Sequence, residues 1–341
     1  MTNEIPHGDQ TPILIFVNSV SGGGIAAGVI PYVENDVFIK VVKLPSEAST
    51  FRETHAELLR NPSLRIVAAG GDGTVNWVIS LLKPIFSLDE TPNQYRPPLA
   101  VIPFGTGNDM SRSLGWGGGM MNADLHRVPE IIRKMRNSTH VENIDIWQLT
   151  LTDTSSQEVV TKQMLNYFSI GVDAEVALDF EHCRTGCCKC CFCCQCMSLC
   201  CYIPVGASNL FCKRNIRDYC KVMIKENDES EPREMLLRRG EKTVVVQAIP
   251  NIYAGRDLWR NTSDRGMCDH KFEVIAQGGV MKLGLLQIGC RTGRPIIQGV
   301  STEMHVDEPF YYQVDGEGGM VNNPTTVKIE RSGSYPMVFS E

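Results

Sequence analysis

Three glycine-rich segments hold the residues of this 341-residue chain whose types and spacing could do chemistry: Ser21-Gly22-Gly23-Gly24, Gly70-Gly71-Asp72-Gly73-Thr74 and Gly105-Thr106-Gly107-Asn108-Asp109. A glycine loop lets backbone N–H groups close on an anion, and the N-terminus of a following helix adds positive potential. Each segment is a candidate phosphate cradle, although the first, taken alone, reads equally as a plain turn. The second sets Asp72 among its glycines. An acid there repels a phosphate unless a cation lies between them, and Mg²⁺ takes one or two carboxylates while sharing its shell with phosphate oxygens. An Asp-Gly turn is the simpler reading of the same residues. The third segment adds a hydroxyl, an amide and the carboxylate of Asp109, groups able to hydrogen-bond a ribose, a base or an incoming alcohol. No G-x-x-x-x-G-K-[ST] run and no H-R-D or D-F-G triplet occurs, which excludes a P-loop ATPase and a protein kinase.

The elements that must position these loops are legible around them. Apolar runs at 13–17 (ILIFV), 65–69 (RIVAA) and 99–102 (LAVI) each stop at a glycine segment, and helix-compatible sequence follows. Three strand–loop–helix units of this kind predict a largely parallel α/β sheet. In such sheets the ligand crevice lies beyond the carboxyl ends of the strands, where all three loops fall. After residue 140 the texture changes. The runs 144–151, 163–170, 243–249, 272–277 and 310–314 are β-rich, no further glycine loop–helix unit is expected, and a second, mostly antiparallel domain is predicted. The charged stretch 226–241 reads as a solvated loop.

Composition narrows the partners. Thirty-three basic residues against 39 acidic ones give a net charge of −6, so nucleic acid is not the expected partner. No apolar stretch reaches the ~20 residues of a spanning helix. Met1–Gln10 lacks a basic region and an apolar core, so no secretory signal is expected and the compartment is read as cytoplasmic and reducing. Ten of the fourteen cysteines fall between Cys183 and Cys201. Three readings of this cluster stay open. It could bind soft metal ions as a thiolate cluster. It could form an apolar, S-acylated membrane-docking strip of Cys187, Cys188, Cys190, Cys191, Phe192, Cys193 and Cys194. It could also be a plain insertion. The docking reading is supported by seven basic residues against the single acid Asp218 between Cys183 and Lys225, which suits an anionic membrane surface.

The segments RIVAAGGDGTVNWVISLL (65–82), PLAVIPFGTGNDMSRSLGWGGG (98–119), NYFSIGVDAEVALDFEHCR (166–184), IPNIYAGRDLW (249–259) and QVDGE (313–317) together resemble the diacylglycerol kinase family over roughly residues 12–320. Sphingosine, ceramide and NAD kinases share the Gly70–Thr74 loop. Asn108-Asp109 and the Leu114–Gly119 sequel favour diacylglycerol kinase. The resemblance implies ATP-dependent phosphorylation of the primary hydroxyl of diacylglycerol, in a membrane, to phosphatidic acid. It implies an α/β nucleotide-binding domain over 1–144, with 1–11 as a flexible lead-in. An antiparallel β-sandwich accessory domain follows over 145–318, with the Cys-rich insertion at 183–220, and 319–341 returns to the first domain. The active site is expected in the inter-domain cleft.

The resemblance also assigns roles. ATP falls to Asn18, Ser21, Gly22, Gly70, Gly71, Gly73, Thr74, Gly105, Thr106, Gly107 and Asn108. Asp72 organises magnesium through the phosphates, and Asp109 orients the lipid hydroxyl. Asp315 is the general base, with Glu317 close to metal or substrate. The residues themselves leave Asp315-Gly316 open as a hairpin turn. The chain departs from the eukaryotic pattern in lacking zinc-finger lipid sensors and in placing Asp269-His270 where Asp-Gly is frequent, and no metal site is assigned there. The rival readings are a ceramide or sphingoid-base kinase and a catalytically silent lipid-binding scaffold. Protein partners are not legible.

Overall fold

The computed structural model describes residues 10–86, 95–185, 214–259, 265–287, 290 and 293–340. The chain divides into two compact units, Met1–Ile144 with Ser334–Glu341, and Asp145–Gly333.

In the first unit, β1 (Ile13–Asn18), β2 (Ile39–Leu44), β3 (Arg65–Gly70) and β4 (Leu99–Pro103) form a parallel sheet in the order β2-β1-β3-β4. β3 and β4 are buried throughout and β1 everywhere but at Asn18, which is why their sequences are unbroken apolar runs. Edge strand β2 instead alternates, with Lys40 and Lys43 exposed. Because β1, β3 and β4 are parallel neighbours, their carboxyl ends reach one edge together. The buried Arg65 donates to the carbonyls of Met135 and Ser138 at 2.9 and 2.8 Å, tying down the C-terminus of the Val128–Asn137 helix. The chain end adds a further parallel neighbour, with Met337 beside Leu99.

The second unit holds two sheets. β5 (Val141–Asp153) and β16 (Thr325–Val338) each straddle a boundary between the units. One sheet takes β6 (Val159–Met164), β8 (Cys220–Lys225), β9 (Arg233–Glu234) and β13 (Ser301–Val306) with them. The other runs β12-β11-β10-β7-β14-β15, from β7 (Tyr167–Gly171), β10 (Glu241–Gln247), β11 (Phe272–Gly278), β12 (Arg294–Gly299), β14 (Phe310–Val314) and β15 (Glu317–Val321). Its neighbours are all antiparallel. Trp147, Val222, Met304 and Val327 from the first sheet share one buried core with Phe168, Val244, Phe272 and Phe310 from the second. That is sandwich packing.

Four sequence expectations are corrected. The run 163–170 is two strands on different sheets, with the switch at Leu165-Asn166. A helix, Val172–Thr185, does follow a glycine, because Gly171 at φ +118° turns the chain off β7. The 226–241 stretch contains β9, paired with β8. The return to the first unit begins at Ser334 rather than 319, since β15 pairs with β14 and Thr325–Glu330 pairs with β13.

Candidate active site

At the carboxyl edge of the parallel sheet the three glycine loops touch backbone to backbone. A Cβ on Gly71 would lie 2.9 Å from the Cα of Gly105, and one on Gly105 would lie 2.7 Å from the Cα of Gly71. Gly71 has φ −93° and ψ −172°, ordinary extended backbone, so space alone demands glycine there. A Cβ on Gly22, whose φ is +61°, would lie 2.9 Å from the Phe104 carbonyl oxygen. A Cβ on Gly70 would overlap the buried Thr74 side chain. The Thr74 hydroxyl in turn accepts from Asn18 Nδ2 at 2.9 Å and lies 3.4 Å from Ser21 Oγ. Asn18 and Ser21 therefore pin the first loop to the helix that starts the second.

Asp72 opens the Asp72–Leu82 helix, and its carboxylate faces the next one. It accepts the backbone N–H of Asp109 at 3.0 Å and of Met110 at 2.9 Å, capping the short Asp109–Ser113 helix. Asp109 is 4% exposed. A Cβ on Gly107 would sit 3.5 Å from both Asp72 Oδ2 and Asp109 Oδ2, the nearest atoms outside its own chain neighbours. Two hard oxygen donors thus border the small space left by a missing side chain, which suits Mg²⁺.

Asn108 is bonded into its own loop. It is buried and left-handed, with φ 50°. Its amide donates to the carbonyls of Gly105 and Gly118 at 2.7 and 2.9 Å and accepts the Gly105 N–H at 2.7 Å. Both amide hydrogens bond the loop and its sequel, so the side chain staples the cradle. Thr106 and Gly107 are half-buried and Gly73 is exposed at the loop tips.

In the second unit, Asp315 (φ 51°) and Gly316 (φ 89°) form the two-residue turn between β14 and β15. The positive φ at both residues is the hairpin signature of Asp-Gly. The Asp315 carboxylate accepts three backbone N–H groups, from Leu165 at 3.0 Å, Asn166 at 2.8 Å and Tyr167 at 3.0 Å. It thereby fixes the point where the chain changes sheets. Both of its oxygens are thus engaged by the backbone of the switch. Glu317, the first residue of β15, is exposed.

Sequence reasoning missed Asp173. It lies in the first turn of the Val172–Thr185 helix, buried, and accepts from Ser169 Oγ at 2.5 Å, Tyr253 Oη at 2.5 Å and Gln313 Nε2 at 2.7 Å. Its Oδ1 is buried without a partner. Burial pushes its carboxyl up, against the hydrogen bonds that lower it. The only signal in the sequence was a Gly-Val-Asp after a strand, indistinguishable from a turn.

The docking strip Cys187, Cys188, Cys190, Cys191, Phe192, Cys193 and Cys194 lies outside the described residues. Among the described residues no helix is long and apolar enough to cross a membrane.

Residues 12–143 match the family model described as Diacylglycerol kinase catalytic domain, and residues 163–318 match Diacylglycerol kinase accessory domain. Diacylglycerol kinase 2 of Arabidopsis thaliana is 27% identical over 348 residues, covering 97% of this chain and 46% of that protein. Diacylglycerol kinase theta of Homo sapiens is 30% identical over 339 residues, covering 91% and 33%. The chain thus spans less than half the length of these curated relatives. Among solved structures, a diacylglycerol kinase from Bacillus anthracis str. Sterne is similar with a TM-score of 0.54 at 16% identity, covering 96% of this chain and 97% of that one. Yeast NADH kinase complexed with NADH is similar with a TM-score of 0.50 at 10% identity, covering 97% and 84%. At those identities the likeness is one of fold.

Proposed function

The chain belongs to the diacylglycerol kinase family, and we propose that it transfers the γ-phosphoryl group of ATP to the primary hydroxyl of diacylglycerol. The product is phosphatidic acid, and the reaction attenuates diacylglycerol signalling. One observation carries this reading: three glycine loops packed backbone to backbone, with Asp72 and Asp109 bordering one space at Gly107.

Phosphoryl transfer depends on positioning and charge neutralisation more than on covalent chemistry. The backbone N–H groups of the 21–24, 70–74 and 105–107 loops hold the triphosphate. Asn18, Ser21, Thr74 and Asn108 hold the loops. Asp72 holds magnesium, and Asp109, buried and facing the same space, serves that cation rather than the lipid hydroxyl. When bound, magnesium supplies neutralisation of the phosphate charge. The lipid hydroxyl gives its proton to a carboxylate as its oxygen bonds to phosphorus, and the bond from phosphorus to the departing ADP oxygen breaks. We assign that carboxylate to Glu317, with Asp315 as the positioning residue that fixes the hairpin. The substrate lies in a bilayer, so the enzyme works as a peripheral protein at the cytoplasmic face of an anionic membrane. There the 187–194 strip docks and is open to S-acylation.

The test is transfer of radiolabelled phosphate from ATP to a panel of diacylglycerol, ceramide, sphingosine and NAD. Label in phosphatidic acid is expected. Label on another acceptor alone reassigns the substrate, and no label on any leaves the scaffold reading.

A further inference from the structure

The loop leading into β11 carries a donor set that the kinase reaction does not use. The Cys268 sulfur, a ring nitrogen of His270 and a carboxylate oxygen of Asp145 all lie within 4.8 Å of one another. We propose that these three residues form a zinc site, with water in the fourth position.

The chemistry of the set selects the metal. Magnesium and calcium want oxygen shells, whereas a thiolate, an imidazole and one carboxylate match the borderline-soft, tetrahedral preference of Zn²⁺. Zinc bonds of about 2.0–2.3 Å place neighbouring ligand atoms roughly 3.3–3.8 Å apart. Cys268 Sγ already lies 3.9 Å from Asp145 Oδ1, and a ring nitrogen of His270 lies within 4.8 Å of both. Cys268 and His270 are both exposed, with room to close further on a cation, and Cys268 is in no disulfide.

The third ligand is already held. Asp145 is buried, and its Oδ1 accepts from Arg331 Nε at 2.6 Å while Oδ2 accepts the His270 backbone N–H at 2.8 Å. Partners of this kind orient a ligating carboxylate. Arg331 opposes a cation nearby, and the negative charge of the Cys268 thiolate offsets it. Binding releases the thiol proton to solvent, so the metal is held more tightly as pH rises.

The surrounding loop is fixed before any metal arrives. Arg265 pairs with Asp257 at 2.9 Å and donates to the Ile249 carbonyl at 3.1 Å. Asp269 accepts the N–H groups of Gly266 at 3.0 Å and Lys271 at 3.1 Å, and the Asp145 N–H reaches the Met267 carbonyl at 2.7 Å. Cys268 and His270 are thus presented side by side over Asp145. His270 stands at φ 63°, a conformation in which glycine costs least. His270→Gly therefore removes a ligand without burdening the backbone, and Cys268→Ser changes one exposed atom.

The experiment counts zinc bound per full-length chain after chelator stripping and reloading, for the natural sequence, Cys268→Ser and His270→Gly. The same three are also made with the cysteines at 183–201 replaced by serine, which removes competing thiolates. One zinc fewer per chain is expected in both variants on either background, with affinity at this site weakened by at least ~100-fold. Cobalt substitution should show a thiolate charge-transfer band that disappears with Cys268→Ser. Equal zinc content across the three chains on both backgrounds, or no zinc in the serine background carrying an intact 268–270 loop, overturns the site. None of these readouts depends on kinase activity.

Discussion

Carboxylates in the two units are held in opposite surroundings. Asp72 and Asp109 open the helices that follow the second and third glycine loops, each with an oxygen 3.5 Å from the empty side-chain position of Gly107. Asp173 and Glu273 are sealed on one face of the six-stranded sheet and its covering helix, where burial outweighs their hydrogen bonds and raises both; Glu273 is pushed up to about 7. On the proposed reading the same functional group would face a cation in one place, while in the other burial favours its protonated form. Depth alone does not separate them, since Asp109 is as buried as Asp173; for Asp173 and Glu273 burial is the largest influence, and it penalises the charged form.

The largest effect should come from breaking the charged half. Asp72→Asn is expected to lower kcat by ~10²–10³-fold, the scale for losing one preorganised electrostatic contact. The lost cap should cost only about 1 kcal/mol of stability. Turnover near that of the natural enzyme would remove Asp72 from the cation site. Next in size is the contrast inside the β14–β15 hairpin. Glu317→Gln should lower kcat by ~10²-fold with the ATP KM unchanged. Asp315→Asn should instead destabilise the fold by about 2 kcal/mol through its lost charge-assisted bonds, with kcat per folded molecule little altered. The reverse pattern would return the general base to Asp315. Gly71→Ala, which places a methyl against Gly105 in an otherwise allowed conformation, should cost about 1–3 kcal/mol and raise the ATP KM.

The two halves were unequally legible. Unbroken apolar runs ending in glycines spelled out β1, β3 and β4, and parallel neighbours must bring their loops to one edge. The division of labour inside the loops was hidden. Nothing in Gly105–Asp109 says that the Asn108 amide turns back on Gly105 while Asp109 faces Asp72, since both depend on a left-handed backbone at position 108. The β-rich half was legible only as texture. The sheet switch at Leu165-Asn166 is imposed by Asp315, about 150 residues along the chain, and no local pattern encodes so distant a partner. For the same reason Asp173 and its partners Tyr253 and Gln313 escaped notice: they meet only in the folded sheet.

The smallest expected effect tests the neutral half directly. Glu273 is 2% exposed. Burial is the largest influence on it, and Arg265, whose Nε is 3.7 Å away, offsets only part of the rise. Its value of about 7 in the fold stands above its ordinary 4.5. The native state therefore keeps a proton that the unfolded chain has released. That contribution to stability is fully present below pH 4.5 and is lost as pH climbs towards 7, at no more than about 1.4 kcal/mol per pH unit. Glu273→Gln keeps the shape and cannot titrate. Arg265 retains Asp257 and the Ile249 carbonyl as partners, so the substitution leaves no stranded cation. Thermal unfolding followed from pH 4.5 to 7 should then fall less steeply for Glu273→Gln than for the natural chain, so that the variant gains on it steadily towards neutrality. Parallel curves would mean that Glu273 is ionised in the fold, and the contrast between a charged phosphate side and a proton-holding sheet face would not hold.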